Sequence, residues 1–219
     1  MRSFIITVLL ASTISARAGD SKFTSAMLAG ISQMNEANTT EQRIQVANKF
    51  RIIALHAQGE WLPYYYHALI YTNLIYNDAE ADDDQKEKYL DIAEESVEIL
   101  LEINPDDSEV QVLYANYPIN LISLKPFVYG MLYMGKYNKA IKKSLDLNPD
   151  NPRARYMELS ARYGKAQFFG EDLTVFCPDI AALKVYISEQ KPVSGLHPSW
   201  GINEVAWMEK SCEEQSNSN

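Results

Sequence analysis

The sequence is poor in the residues that carry most enzyme and metal chemistry. Its 219 residues include three His and two Cys. There is no HExxH or CxxC pattern, which argues against a metal site built on a local motif. No GxSxG accompanies the serines, so a nucleophile elbow is excluded. No glycine-rich loop opens a helix, as a backbone phosphate cradle requires. Adjacent carboxylates such as Glu94 with Glu95, or Glu213 with Glu214, diverge on a helix and cannot flank one bond. The expectation is no enzyme: no catalytic residue, no cofactor-binding residue and no metal ligand. His67, within an aromatic stretch, reads as a core residue with one hydrogen bond, and His197 as a loop residue.

Positive charge is also short. Lys and Arg total 20 against 29 Asp and Glu, a net charge of −9. Phosphate backbones and anionic membrane surfaces repel such a chain, so nucleic acid is not an expected partner. Long apolar runs are missing too. Residues 4–14 are apolar, but crossing a bilayer takes about 20 residues. A basic Met1-Arg2 precedes this run, and Ala16-Arg17-Ala18 follows it with small residues at the cleavage positions. That is a secretory signal peptide, residues 1–18, cut before Gly19. Its removal takes away Arg2 and Arg17 and moves the net charge from −9 to −11. No Cys follows the cut, so no lipid anchor is expected, and no stable membrane insertion of the mature chain.

Strand alternation is absent as well. What is present is helical periodicity, with a 47% hydrophobic content and 14 Tyr, ample for a core. Phe23, Met27, Gly30, Ile31 and Met34 share one helix face, behind a cap at Asp20 or Ser21. Thr39 and Gln42 form a capping box for a second helix, with Val46, Ala47, Phe50 and Ala54 inside. The third, 61–76, has Pro63 in its first turn and is apolar nearly all round, so it lies between neighbours. An acidic loop, 77–84, leads into a fourth helix, 85–103. Ser108 with Gln111 opens a fifth, which Pro118 is expected to kink or end. A sixth, 127–147, is a candidate for a break at Gly135. Asn151 and Pro152 start a seventh. Residues 164–177, with Phe168-Phe169-Gly170, read as a non-helical tip. An eighth helix starts at Pro178 and a ninth covers 202–213.

About nine helices joined by short turns predict an all-α fold of stacked antiparallel hairpins. One domain covers 19–219, with the hairpin 178–213 as its cap. If the loop 191–201 folds the last two helices antiparallel, Cys177 and Cys212 come within bridging range. A disulfide between them is expected, in keeping with an exported chain.

The turns Asn104-Pro105-Asp106 and Asn148-Pro149-Asp150 repeat at 44 positions, against about 34 for a tetratricopeptide repeat. Tyr64, Ala68 and Tyr71 resemble that family's first helix, with His67 in place of its Leu. Ala93, Val97 and Pro105 resemble its second helix, after an insertion holding the acidic loop. Tyr114-Ala115, then Gly135, Tyr137 and Ala140, resemble a further unit whose second helix is three residues short. Tyr156, Leu159-Ser160 and Tyr163 resemble a third first-helix. The chain is thus similar to a degenerate tetratricopeptide array over residues 61–163. Its tail, with Phe168-Phe169-Gly170, Leu196–Gly201 and Cys212, resembles uncharacterised exported repeat proteins of Gram-negative bacteria.

The resemblance implies a right-handed superhelix and a periplasmic, non-enzymatic scaffold. Its concave groove would bind a peptide or protein, with a lining near Tyr65, Asn73, Asn116, Arg155 and Arg162. The aromatics from Trp61 to Tyr76 fit either an inter-hairpin core or a ring-binding surface. The second reading suggests a carbohydrate-binding accessory protein; an envelope hydrolase with an unrecognised site is a third.

Overall fold

The computed structural model describes residues 12–216, with side chains from Ser21 to Glu214. Residues 1–11 of the expected signal peptide lie outside the described residues. Nine α-helices follow in order: α1 (Ser12–Glu36), α2 (Thr40–His56), α3 (Leu62–Asn77), α4 (Asp83–Ile103), α5 (Ser108–Leu124), α6 (Pro126–Leu147), α7 (Pro152–Phe169), α8 (Cys177–Glu189) and α9 (Ile202–Ser216). Among the described residues a 3-10 turn, Leu173–Phe176, precedes α8. No strand occurs among the described residues.

Local chemistry explains most of the helix ends. The Thr39 hydroxyl accepts from the Gln42 backbone amide at 3.2 Å, and the Gln42 side-chain Oε1 accepts in turn from the Thr39 backbone amide at 3.3 Å. Asn151 accepts from the amides of Arg153 and Ala154, with Pro152 at the first helical position. Each cap satisfies amides that lack an intrahelical partner. Other ends differ from the sequence reading. The cap of α5 is Asp107, one residue early, and Ser108 instead bonds Ser144. Helix α1 is already running at Asp20 and Ser21, so neither caps it. Pro118 does not end α5, nor does Gly135 break α6. Residues 164–169 extend α7, which stops at Gly170, whose φ of 69° suits a residue without a Cβ.

Successive helices pack as hairpins, and α5 also touches α3 and α7, so one hairpin stacks on the next. Four clusters of buried side chains result, the smallest being Ile75, Leu90 and Leu121 between α3, α4 and α5. The first gathers α1 to α5 around Phe50, Tyr65 and Leu74. The second joins α5, α6 and α7 at Val112, Tyr137 and Met157. The third closes α7, α8 and α9 around Ile180, Val205 and Met208. Gly30 permits the α1–α2 approach; a Cβ there would meet the Phe50 ring at 2.8 Å. His67 is buried in α3, with Ser96 Oγ 2.8 Å from its Nδ1.

A disulfide joins Cys177 at the start of α8 to Cys212 in the last turns of α9, Cα to Cα 5.8 Å. It ties the open end of the last hairpin, opposite the loop 191–201 that connects the two helices.

Candidate functional site

Two regions bring together side chains able to recognise something. The first is the side of the stack made by α3, α5 and α7, where the sequence placed its binding residues. Tyr65 is fully buried there. The loop 191–201 crosses back over α3 and covers it. The Trp200 indole N–H donates to the Tyr65 hydroxyl at 2.9 Å, and the Tyr66 hydroxyl donates to the Leu196 carbonyl at 2.9 Å. His197 meets the Trp61 ring edge-on, and Trp200 meets Tyr156 the same way. Burial pushes the phenols of Tyr65 and Tyr66 well above their ordinary range.

Beneath this loop lies an ion pair. Arg153 holds Glu109 through two bonds, Nε to Oε2 at 2.6 Å and Nη2 to Oε1 at 2.5 Å. The two side chains are only 13% and 12% exposed. Asn151 donates to Glu109 and to Ser108, so the pair belongs to a network joining α5, α6 and α7. Among the described residues, no buried side-chain polar atom lacks a partner.

The five groove residues expected from sequence do not form one open surface. Both Tyr65 and Asn116 are buried: the returning loop covers Tyr65, and Asn116 lies on α5, which packs against α3, α4, α6 and α7. Arg155 bonds the Pro149 carbonyl and Asp150, and its guanidinium lies 4.3 Å from the Tyr186 ring centroid. Arg162 sits beside Asp179 and over Phe176. Asn73 is exposed on α3. Of the aromatics in α3, Tyr65, Tyr66 and Tyr71 are core, whereas Tyr76 is exposed and donates to Asn120 at 2.7 Å.

The second region was not singled out by sequence reasoning. The first turns of α6 carry Phe127, Val128, Met131 and Leu132 on the surface; Phe127 is 90% exposed, Met131 98% and Leu132 70%. The end of α7 brings Phe168 and Phe169 beside them, with ring centroids 5.2 Å apart both for Phe127–Phe168 and for Phe168–Phe169. Six large apolar side chains thus form one outward-facing edge of α6 and α7. Water solvates such an edge poorly, and contiguous exposed patches of this kind mark binding surfaces. On the α4 side of α6 stands a file of rings, Tyr129, Tyr133 and Tyr117. The Tyr129 hydroxyl and Lys125 share Glu87, whose carboxyl the Lys125 bond holds below its ordinary range. The apolar edge therefore has a polar, ion-paired flank.

The acidic loop forms an open cleft of 440 Å³ lined by Asp78, Asp82, Asp84, Lys88 and Tyr89. Two of its carboxylates have structural tasks. Asp82 caps α4 through the Gln85 amide, and Asp78 accepts from the Tyr89 hydroxyl at 2.7 Å. Among the described residues, no group of three or more His, Cys, Asp or Glu is placed to hold a metal ion. No described helix is long and apolar enough to cross a membrane.

No family model matches the chain, and no curated protein matches it in sequence. Its fold does have a solved counterpart, the HusA haemophore from Porphyromonas gingivalis. The two superpose with a TM-score of 0.70 at 19% identity, over 88% of this chain and 94% of that one. At that identity the likeness is one of fold.

Proposed function

We propose that this chain is an exported, non-enzymatic binding protein whose α6–α7 edge holds a flat, largely apolar ligand of the haem class. The observation that carries the reading is the exposed cluster of Phe127, Met131, Leu132, Phe168 and Phe169. Aromatic faces and polarisable thioethers suit a planar conjugated ring, which gains contact area without needing a deep cavity. The fold likeness supports the ligand class, since the protein it resembles is named for carrying haem. Export is supported by the signal-peptide pattern of residues 1–18 and by the bridged Cys177 and Cys212, a bond that persists in oxidising compartments. We place the mature protein, 19–219, as one domain in the envelope of a Gram-negative bacterium, in the periplasm or beyond it.

Haem titration followed by absorbance tests this. Saturable binding is expected for the wild type. Phe127→Ala with Met131→Ala removes ~60 Å² of contact, worth about 1.5 kcal/mol at ~25 cal/mol per Å², so binding weakens about tenfold. A wild type that shows no saturable binding, or a variant that binds equally well, overturns the reading. Protein or peptide capture in a tetratricopeptide-like groove remains the second reading, favoured by the hairpin stacking. It requires a surface other than Tyr65 and Asn116, which are covered.

A further inference from the structure

The loop between α8 and α9 does not stay with the hairpin it closes. Leu196 and Trp200 leave it and pack against the core of α1 to α5. The contacts span 130 positions for Tyr66 to Leu196 and 135 for Trp200 to Tyr65. Pro198 is buried between them, while residues 191–195 and Ser199 are exposed. The one backbone–backbone bond within 194–200 is internal, from the His197 amide to the Ser194 carbonyl. The segment, a turn at 194–197 followed by Pro198 to Trp200, is thus seated by spaced side-chain anchors and one carbonyl, as a bound peptide is.

We propose that residues 194–200 are an intramolecular ligand. They occupy a peptide recess built from Trp61, Tyr65, Tyr66 and Tyr156, and their release admits a peptide of like chemistry. The recess selects an indole whose N–H reaches Tyr65. It also selects an apolar residue four positions earlier whose carbonyl accepts from Tyr66. A segment tethered at both ends acts at a high effective concentration, so modest contacts suffice to keep outside peptides away. The Cys177–Cys212 bond holds the far end of the α8–α9 hairpin, so the segment can lift without separating the two helices. This recess is distinct from the α6–α7 edge and needs no haem.

The test uses a fluorescein-labelled peptide with the sequence of residues 191–201. Its anisotropy is followed on adding the wild-type chain or the Leu196→Ala/Trp200→Ala variant. The peptide is expected to bind the variant at least about tenfold more tightly than the wild type, and a peptide with Ala in place of its Trp is expected not to bind. Equal binding to both proteins, with the variant still helical by circular dichroism, overturns the proposal. Should the double variant unfold, Tyr66→Phe removes only the hydroxyl on the Leu196 carbonyl. Hydrogen exchange at Leu196 and His197, whose amides bond to Ser194, is then expected to rise about tenfold while α8 and α9 keep their protection. Unchanged exchange there, or a rise shared by the whole molecule, overturns it equally.

Discussion

Trp200 and Tyr65 are joined by a 2.9 Å hydrogen bond between residues 135 positions apart. The bond closes the α3 side of the stack with the chain's own loop. Trp200→Phe keeps a ring in place but leaves the Tyr65 hydroxyl buried without its donor. A loss of about 1–2 kcal/mol in urea unfolding is expected. Adding Tyr65→Phe removes the orphaned hydroxyl, so the double variant should lose less than the two single losses combined. Strict additivity would contradict the coupling.

Glu109 and Arg153 are paired bidentately in a nearly dry place. Removing one partner strands the other charge. Glu109→Gln is expected to cost about 3 kcal/mol, read from the denaturant midpoint. Glu109→Leu with Arg153→Met should be milder than either single change, because no buried charge is left alone.

His67 gives the fold a pH dependence. Burial first, then the nearby Arg51 charge, lower it from 6.5 to about 4. The unfolded chain therefore takes up the proton before the folded one does. Its contribution is complete above pH ~6.5 and is lost as pH falls toward ~4, at most about 3 kcal/mol. Unfolding free energies at pH 7 and pH 4.5 should differ more in the wild type than in His67→Asn. Equal differences would rule His67 out as the source.

The Cys177–Cys212 bond closes a loop of 35 residues. In the chain-entropy model its reduction costs about 3–4 kcal/mol. Urea unfolding with and without dithiothreitol should show that loss, with the midpoint unmoved in a Cys177→Ser/Cys212→Ser variant. Titration of the denatured, unreduced protein should find no free thiol.

The helix ends were the most legible part of the sequence because their causes are local. Thr39 with Gln42, Pro63 in the first turn of α3, and Asn151 with Pro152 each act within four residues. The errors there are of similar reach. Pro118 stays inside α5 because tertiary packing on both sides outweighs one missing N–H. Residues 164–169 continue α7 until Gly170 offers a left-handed cap. The candidate sites were less legible because they depend on distant neighbours. Tyr65 and Asn116 resemble groove residues in their own helices, but a loop some 130 positions away and the packing of α5 cover them. Phe127, Val128, Met131 and Leu132 share a continuous helical stripe that ordinarily marks a core face. Among the described residues no helix covers this face at the start of α6, and no local pattern records that. The usable signal was their density beside the adjacent pair Phe168-Phe169.

The most direct test of the haem-class reading is hydrogen exchange of the chain with and without haem, followed by peptide mass. Protection on adding haem is expected in the first turns of α6, around Phe127 to Leu132, and at the end of α7 around Phe168 and Phe169. No added protection at that edge, or protection confined to residues 194–200 and the recess beneath them, would contradict it.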